Sequence, residues 1–234
     1  MIKLYPADSR YSADHGWLQA NFSFSFGGYN DPSNMNFGPL RVFNDDFIQP
    51  QEGFGTHPHR DMEIVTVALK GQLQHEDNTG GKEILRPGEV QRMTAGTGIL
   101  HSEINSSPDE VANTLQLWFL PSEKGLTPSY EQKAYDQNAM KNQLLPVISS
   151  RMQADNVTFI HQDLTLYLSE LEAGNSLVFN QESGRRIYLF VIEGSVTLNK
   201  ESELNKRDTA RITDVTKLEI QSSEGSTFML IDLP

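Results

Sequence analysis

Cysteine is absent from this chain, which removes disulfides, thiolate nucleophiles, thiolate-held zinc and iron–sulfur clusters together. The absence fixes no redox compartment, because a reduced cytosol tolerates cysteine without requiring it. Positive charge is scarce: 19 Lys and Arg stand against 31 Asp and Glu, a formal net charge of -12 over 234 residues. Such a surface repels phosphate backbones and anionic lipid, so direct nucleic-acid or membrane-surface binding is not expected. No segment approaches the roughly 20 apolar residues of a membrane span, and the N-terminus has no apolar stretch behind a basic start. The cytoplasm is the expected location. Walker, Rossmann, GxSxG and HExxH motifs are missing, and convincing helical periodicity is scarce. What remains is 37% apolar and 9% aromatic, enough for one large or two small cores and incompatible with intrinsic disorder.

Alternating or apolar runs of a few residues recur between Gly, Pro, Asn and Asp clusters, the pattern of an all-β sandwich or barrel. The clearest are Ile64 to Leu69, Asn113 to Leu120, Thr165 to Leu171, Arg186 to Ile192 and Phe228 to Leu233. In the first, Val65, Val67 and Leu69 share a core face and Thr66 and Ala68 a wetter one. A weak repeat appears when Gly71 is laid on Gly194: Val65-x-Val67-x-Leu69-x-Gly71-x-Leu73 matches Tyr188-x-Phe190-x-Ile192-x-Gly194-x-Val196. Two copies of one β-fold are expected. The polar stretch Pro121 to Pro146 lacks β periodicity and reads as their connection, with room for a short helix. The expected division is residues 1–130 and 131–234.

Three of the six histidines fall in a telling arrangement: His57-Pro58-His59, then Glu63, and later His101-Ser102-Glu103. Alternation run backwards from Val65 without a bulge puts His57, His59 and Glu63 on one inward face. A spacing of two likewise puts His101 and Glu103 on one face. Imidazoles and a carboxylate suit a borderline divalent metal, and such a set leaves coordination positions free for water, dioxygen or substrate. Spacing alone leaves open which glutamate completes it.

Gly53-Phe54-Gly55-Thr56-His57-Pro58-His59-Arg60-Asp61-Met62-Glu63 resembles the first cupin motif, and Gly98 to Asn105 resembles the second, GxxHxxxN. More narrowly, GFGTHPHRDMEIVT, MTAGTGILHSE, LRVFND and LQLWFLP resemble the pirin family, especially its bacterial quercetinase-like branch. The resemblance implies two tandem cupin (double-stranded β-helix, jelly-roll) barrels, the first holding one metal through His57, His59, His101 and Glu103. That metal is usually iron as Fe(II), with Mn, Co, Ni, Cu and Zn as alternatives. Ordinary cupins would use Glu63; in pirins the carboxylate comes from the second motif. Glu63 is then expected to orient a ligand imidazole. The activity implied is flavonol dioxygenation of the quercetin 2,3-dioxygenase type. Glu103 is expected to act as ligand and catalytic base, taking the 3-hydroxyl proton, before the flavonolate reacts with dioxygen and loses carbon monoxide. A different class, a non-catalytic iron-bound regulatory protein, is the alternative and would act through a protein partner on the C-terminal domain. A sugar-phosphate isomerase is the weakest reading, because only Arg60 and Arg92 lie near enough in sequence to hold phosphate.

The C-terminal copy lacks an HxH: at the repeat offset His57 and His59 fall on Asn180 and Glu182, and His101 near Ile220. His161, the one histidine expected in that half, reads as a surface or hydrogen-bonding residue. His75 in QHED reads as part of a solvated hairpin. Phe22, Phe24 and Phe26 alternate as a buried strand, and the His15-Gly16-Trp17 segment as loop packing. Asn44, Asp45 and Asp46 are expected to make local salt bridges or turn bonds. Gly55, Gly96 and Gly98 are expected at positive φ near the site.

Overall fold

A computed structural model describes residues 1–234. Regular structure is strand except for two 3-10 turns, Ala7–Ser9 and Gln137–Met140, and no helix is long and apolar enough to cross a membrane. The chain divides into two compact units: residues 11–135 with 154–162, and residues 1–10 with 136–153 and 163–234.

The first unit pairs a wide sheet with a narrow one. The seven-stranded sheet runs, edge to edge, Ser129–Ala134, Glu89–Thr94, Glu63–Lys70, Ala112–Phe119, Leu40–Ile48, Leu18–Phe22 and Tyr11–Asp14. The four-stranded sheet runs Gly53–His59, Ile99–Ile104, Leu73–Asp77 and Lys82–Leu85. In the second unit the wide sheet follows the order Ile2–Tyr5, Thr209–Thr213, Arg186–Gly194, Ser226–Leu233, Thr165–Leu171 and Leu145–Ser149. Its narrow sheet runs Ser176–Asn180, Lys217–Gln221, Val196–Leu198 and Ser202–Leu204. These six strands of the second wide sheet follow the order of the first six of the other, and the four-stranded sheets also correspond, so the repeat read from Gly71 and Gly194 is a real duplication of topology. Both glycines have positive φ, 69° and 73°, and both sit where another backbone passes close. A Cβ would lie 2.9 Å from Ala112 Cα at the first and would collide with the Gly225 carbonyl oxygen at the second. Only glycine meets both demands.

The expected boundary at 130/131 differs from this division. Ile2–Tyr5 pairs antiparallel with Thr209–Thr213, which ties the N-terminus to the second unit, whereas residues 154–162 pack with the first. The stretch expected to lack β structure also holds a strand: Ser129–Ala134 adds to Glu89–Thr94 at the edge of the wide sheet. Its polar alternation is that of an edge strand, which buries little and so carries no strong apolar signal.

The faces of Glu63–Lys70 also differ from expectation. Ile64 and Ala68 belong to the packed clusters of the first unit, and Thr66 reaches the Glu103 carboxylate, so these three face the barrel interior. Val65 and Val67 are fully buried on the opposite face. A strand buried on both faces gives no wet side to read.

Candidate metal centre

The narrow sheet of the first unit sets the histidines. Gly53–His59 and Ile99–Ile104 pair antiparallel with His101 opposite His57 and Ile99 opposite His59, and the register shifts between His101 and Glu103. Strand alternation turns His57 and His59 to one side. On the partner strand His101 and Glu103 are buried while Leu100 and Ile104 are exposed. Ring centroids lie 4.4 Å apart for His57 and His101, 4.8 Å for His57 and His59, and 4.9 Å for His59 and His101. Each ring offers a nitrogen within 4.8 Å of the other two.

Protonation suits cation binding. Burial, then the neighbouring imidazoles His101 and His57, pushes His59 down to about 4. Burial, then His57 and His75, pushes His101 down to about 3. Both rings are therefore neutral donors near pH 7. His57 places Nδ1 2.8 Å from the Gly55 carbonyl oxygen, which makes Nδ1 the donor and leaves Nε2 as the lone pair. His101 Nε2 is buried with no hydrogen-bond partner. An orphaned imidazole nitrogen beside two more imidazoles is what a metal-binding set leaves when protein groups alone are counted.

Glu103 stands beside them, held by amides. Oε2 accepts from Gln116 Nε2 at 2.6 Å, and Oε1 from Gln91 Nε2 at 3.1 Å and Thr66 Oγ1 at 3.4 Å. Trp118 Nε1 donates to Gln116 Oε1 at 3.1 Å, which fixes the amide that holds the carboxylate. A Glu103 oxygen falls within 4.8 Å of ligand atoms of His101 and His75. The three imidazoles thus form one cluster, and Glu103 joins it through His101. His57, His59 and Glu103 open together onto a cavity of about 440 Å³ whose walls include Trp17, Phe22, Phe26, Phe54 and Trp118. Trp118 stands edge-on to His59 at 4.7 Å.

The pirin family pattern matches residues 6–119, and that of the quercetinase C-terminal cupin domain matches residues 147–233. The chain is 42% identical to the quercetin 2,3-dioxygenase of Escherichia coli K12 over 234 residues, covering all of this chain and 99% of that one. A pirin-like protein of Caulobacter vibrioides is 38% identical, with 99% of each chain covered. The chain belongs to the pirin family. Among solved structures, the bacterial pirin YhhW of Escherichia coli in complex with nickel(II) matches with a TM-score of 0.94 at 40% identity, covering all of this chain and 99% of that one. The two units of this pirin are accordingly its two cupin barrels.

In this pirin Glu63 does not share the cluster's face. The chain turns at residues 60–62, with Asp61 at φ 47°, and passes from the narrow sheet to the wide one. Alternation cannot be carried through such a turn. Glu63 points to the opposite side of its strand and is fully buried. Oε1 accepts from the His161 backbone N–H at 2.9 Å, faces His161 Nδ1 at 3.0 Å and accepts from Thr94 Oγ1 at 3.2 Å; Oε2 accepts from the Gln162 backbone N–H at 2.8 Å. It therefore orients no imidazole of the cluster. His161, expected in the C-terminal half, belongs to the first unit and pins residues 154–162 there.

His75 is the residue that sequence reasoning undervalued. It is fully buried, not part of a solvated hairpin; Nδ1 lies 3.5 Å from His101 Nδ1 and Nε2 2.9 Å from Asp77 Oδ2. Tyr130, from the strand not expected, stacks on it at 4.4 Å. The alternation of His75 and Asp77 was the available signal, but the run of Glu, Asp and Asn masked it. His15 and Trp17, expected in loop packing, and Phe26 line the cavity, whereas Phe24 is core. Gly96 and Gly98 have positive φ as expected, and Gly55 does not.

The second barrel carries no histidine. On its corresponding strand pair, Leu177 and Phe179 face Leu218 and Ile220 in an apolar cluster, and Asn180 and Glu182 are exposed.

Proposed function

We propose that this pirin is a dioxygenase of the quercetin 2,3-dioxygenase type. His57, His59, His101 and Glu103 would hold one divalent transition metal, with Fe(II) the first choice. The reading is carried by the orphaned, buried Nε2 of His101 beside His57 and His59, which open with Glu103 onto a cavity walled by aromatic rings. Relatives named quercetin 2,3-dioxygenase and the nickel(II) complex of YhhW support it. When bound, the metal supplies Lewis acidity toward a substrate oxygen and access to dioxygen chemistry.

The protein's own groups do the rest. Trp118, Phe26 and Phe22 take the faces of a flat aromatic substrate and exclude water from the 3-hydroxyl. Glu103 accepts the 3-hydroxyl proton at one carboxylate oxygen, its position held by Gln116 and Gln91. The flavonolate then reacts with dioxygen, opening the heterocycle and releasing carbon monoxide. His101 keeps Nε2 for the metal, so its Nδ1 carries the proton toward His75, and His75 in turn donates from Nε2 to Asp77. The carboxylate–imidazole–imidazole chain fixes the tautomer of one ligand.

Untagged protein reconstituted with Fe(II) is expected to bind one equivalent of metal and to release carbon monoxide from quercetin in air. Metal binding without quercetin turnover would remove the dioxygenase reading and favour a metal-bound protein that acts through a partner.

A further inference from the structure

The Leu40–Ile48 strand crosses the wide sheet of the first barrel between Ala112–Phe119 and Leu18–Phe22. Its alternation sends Asn44 and Asp46 into the cavity that also contains Glu103, Gln116 and Trp118. Both side chains are 3% exposed, and Oδ1 of each is buried without a hydrogen-bond partner. On the opposite face of the same strand Asp45 is paired, its Oδ1 accepting from Asn113 Nδ2 at 2.8 Å. The local salt bridges expected of this acidic run are thus absent on the cavity side. Buried polar atoms in folded proteins are almost always paired. Two unpaired acceptors two residues apart on the wall of a cavity rich in aromatic rings call for donors brought by a ligand. Neighbouring positions on one strand face lie about 6.6 Å apart, which is within the reach of separate hydroxyls on one planar ring system.

We infer that Asn44 and Asp46 form the hydroxyl-recognition subsite of this cavity and select a planar polyphenol over the same ring system without its peripheral hydroxyls. The inference rests on the flavonol reading and adds to it which part of the substrate is read, and by what. A ligand lacking those hydroxyls leaves both acceptors buried and unsatisfied, and a site built that way discriminates strongly. Burial, with Asp45 and Glu103 nearby, raises the Asp46 carboxyl well above the usual range.

The test compares quercetin with 3-hydroxyflavone, which keeps only the 3-hydroxyl, on metal-loaded protein without oxygen. Binding is read by quenching of Trp17 and Trp118, the only tryptophans and both in the cavity wall. Wild type is expected to prefer quercetin by at least about tenfold. Asp46→Leu and Asn44→Leu should each reduce that preference severalfold, mainly by weakening quercetin, while Asp46→Asn, which keeps an acceptor, should retain most of it. Circular dichroism and metal equivalents confirm that the variants are folded. If a leucine variant does not fold, the wild-type preference together with Asp46→Ala and Asn44→Ala decides the matter. Equal affinity of wild type for the two flavonols, or a preference unchanged in the folded variants, overturns this subsite and leaves the dioxygenase reading standing. Failure of both flavonols to bind overturns the subsite and the dioxygenase reading together.

Discussion

The two barrels of this pirin share one strand order and differ in what fills the narrow sheet. In the first, the strands Gly53–His59, Ile99–Ile104 and Leu73–Asp77 contribute His57, His59, His101, Glu103 and His75. In the second, the corresponding strands contribute Leu177, Phe179, Leu218, Ile220, Val196 and Leu198 to a continuous apolar core. The second barrel shows that this architecture closes around an apolar core. The first gives up apolar contact at its centre for imidazoles and amides that satisfy one another only in part, and the unsatisfied atoms mark where ligands belong.

Removing a donor from the first barrel should break the contrast most completely. His59→Ala is expected to take the protein from one metal equivalent to none and to abolish quercetin turnover. Folding should survive, because the cores built on Ala68, Leu73, Ile64 and Met93 do not include the proposed metal ligands. Elemental analysis and a thermal melt check it; a variant that fails to fold would make the ion a structural one.

Glu103 and Glu63 then separate chemistry from architecture inside one barrel. Glu103→Gln keeps size and an oxygen donor but loses the proton acceptor, which should cost about 10²- to 10⁴-fold in turnover of metal-saturated enzyme. Glu63→Gln removes the charge that holds His161 and Gln162, so it should lower the melting temperature and leave turnover of the folded protein near wild type. Side-by-side kinetics decide; an inactive Glu63 variant with an active Glu103→Gln would reverse the assignment. A smaller effect is expected one step behind the ligands: His75→Asn should weaken metal binding about 10- to 100-fold, measured by competition with a chelator. The second barrel offers no residue whose change would register in that assay.

The convergence of His57, His59 and His101 was legible because HxH on a strand converges by simple alternation, and because the motif GxxHxE repeats that spacing on the neighbouring strand. The duplication was legible from a single aligned glycine, since Gly71 and Gly194 meet the same backbone requirement. The side of Glu63 was not, because a turn between two sheets resets the phase at Asp61. His75 was hidden for another reason: its acidic neighbours look solvated in sequence, yet Asp77 is turned inward to hold the ring. Tyr130 sits on an edge strand whose polar residues give no burial signal. Asn44 and Asp46 read as turn formers, since sequence does not reveal that their strand lies in the middle of a sheet.

The barrels should also part company under acid. In metal-free protein His59 and His101 titrate near 4 and 3, both below the ordinary value of 6.5. Between those values and 6.5 the unfolded chain binds more protons than the folded one, so stability rises with pH across that window and is lost on acidification below about 6.5. The second barrel has no imidazole. Its Asp163, held below the usual carboxylate value of 3.8 chiefly by the Arg151 hydrogen bond and also by Arg185, stabilises above that value and gives way only as the pH falls further. The buried Asp46 carboxyl of the first barrel is raised and works in the opposite sense, so thermal melts of metal-free protein from pH 7.5 to 4.5 should show a stability loss from that barrel's imidazoles that Asp46 partly offsets. His59→Gln removes one of the two groups responsible and should flatten the slope, while Asp163→Asn should leave the slope in this range unchanged. Saturating metal should steepen the acid loss of the wild type, because protons and the cation compete for the same nitrogens. Equal slopes for wild type and His59→Gln would mean that these imidazoles are not held neutral in the folded protein, and the contrast between the two barrels would then be one of packing alone.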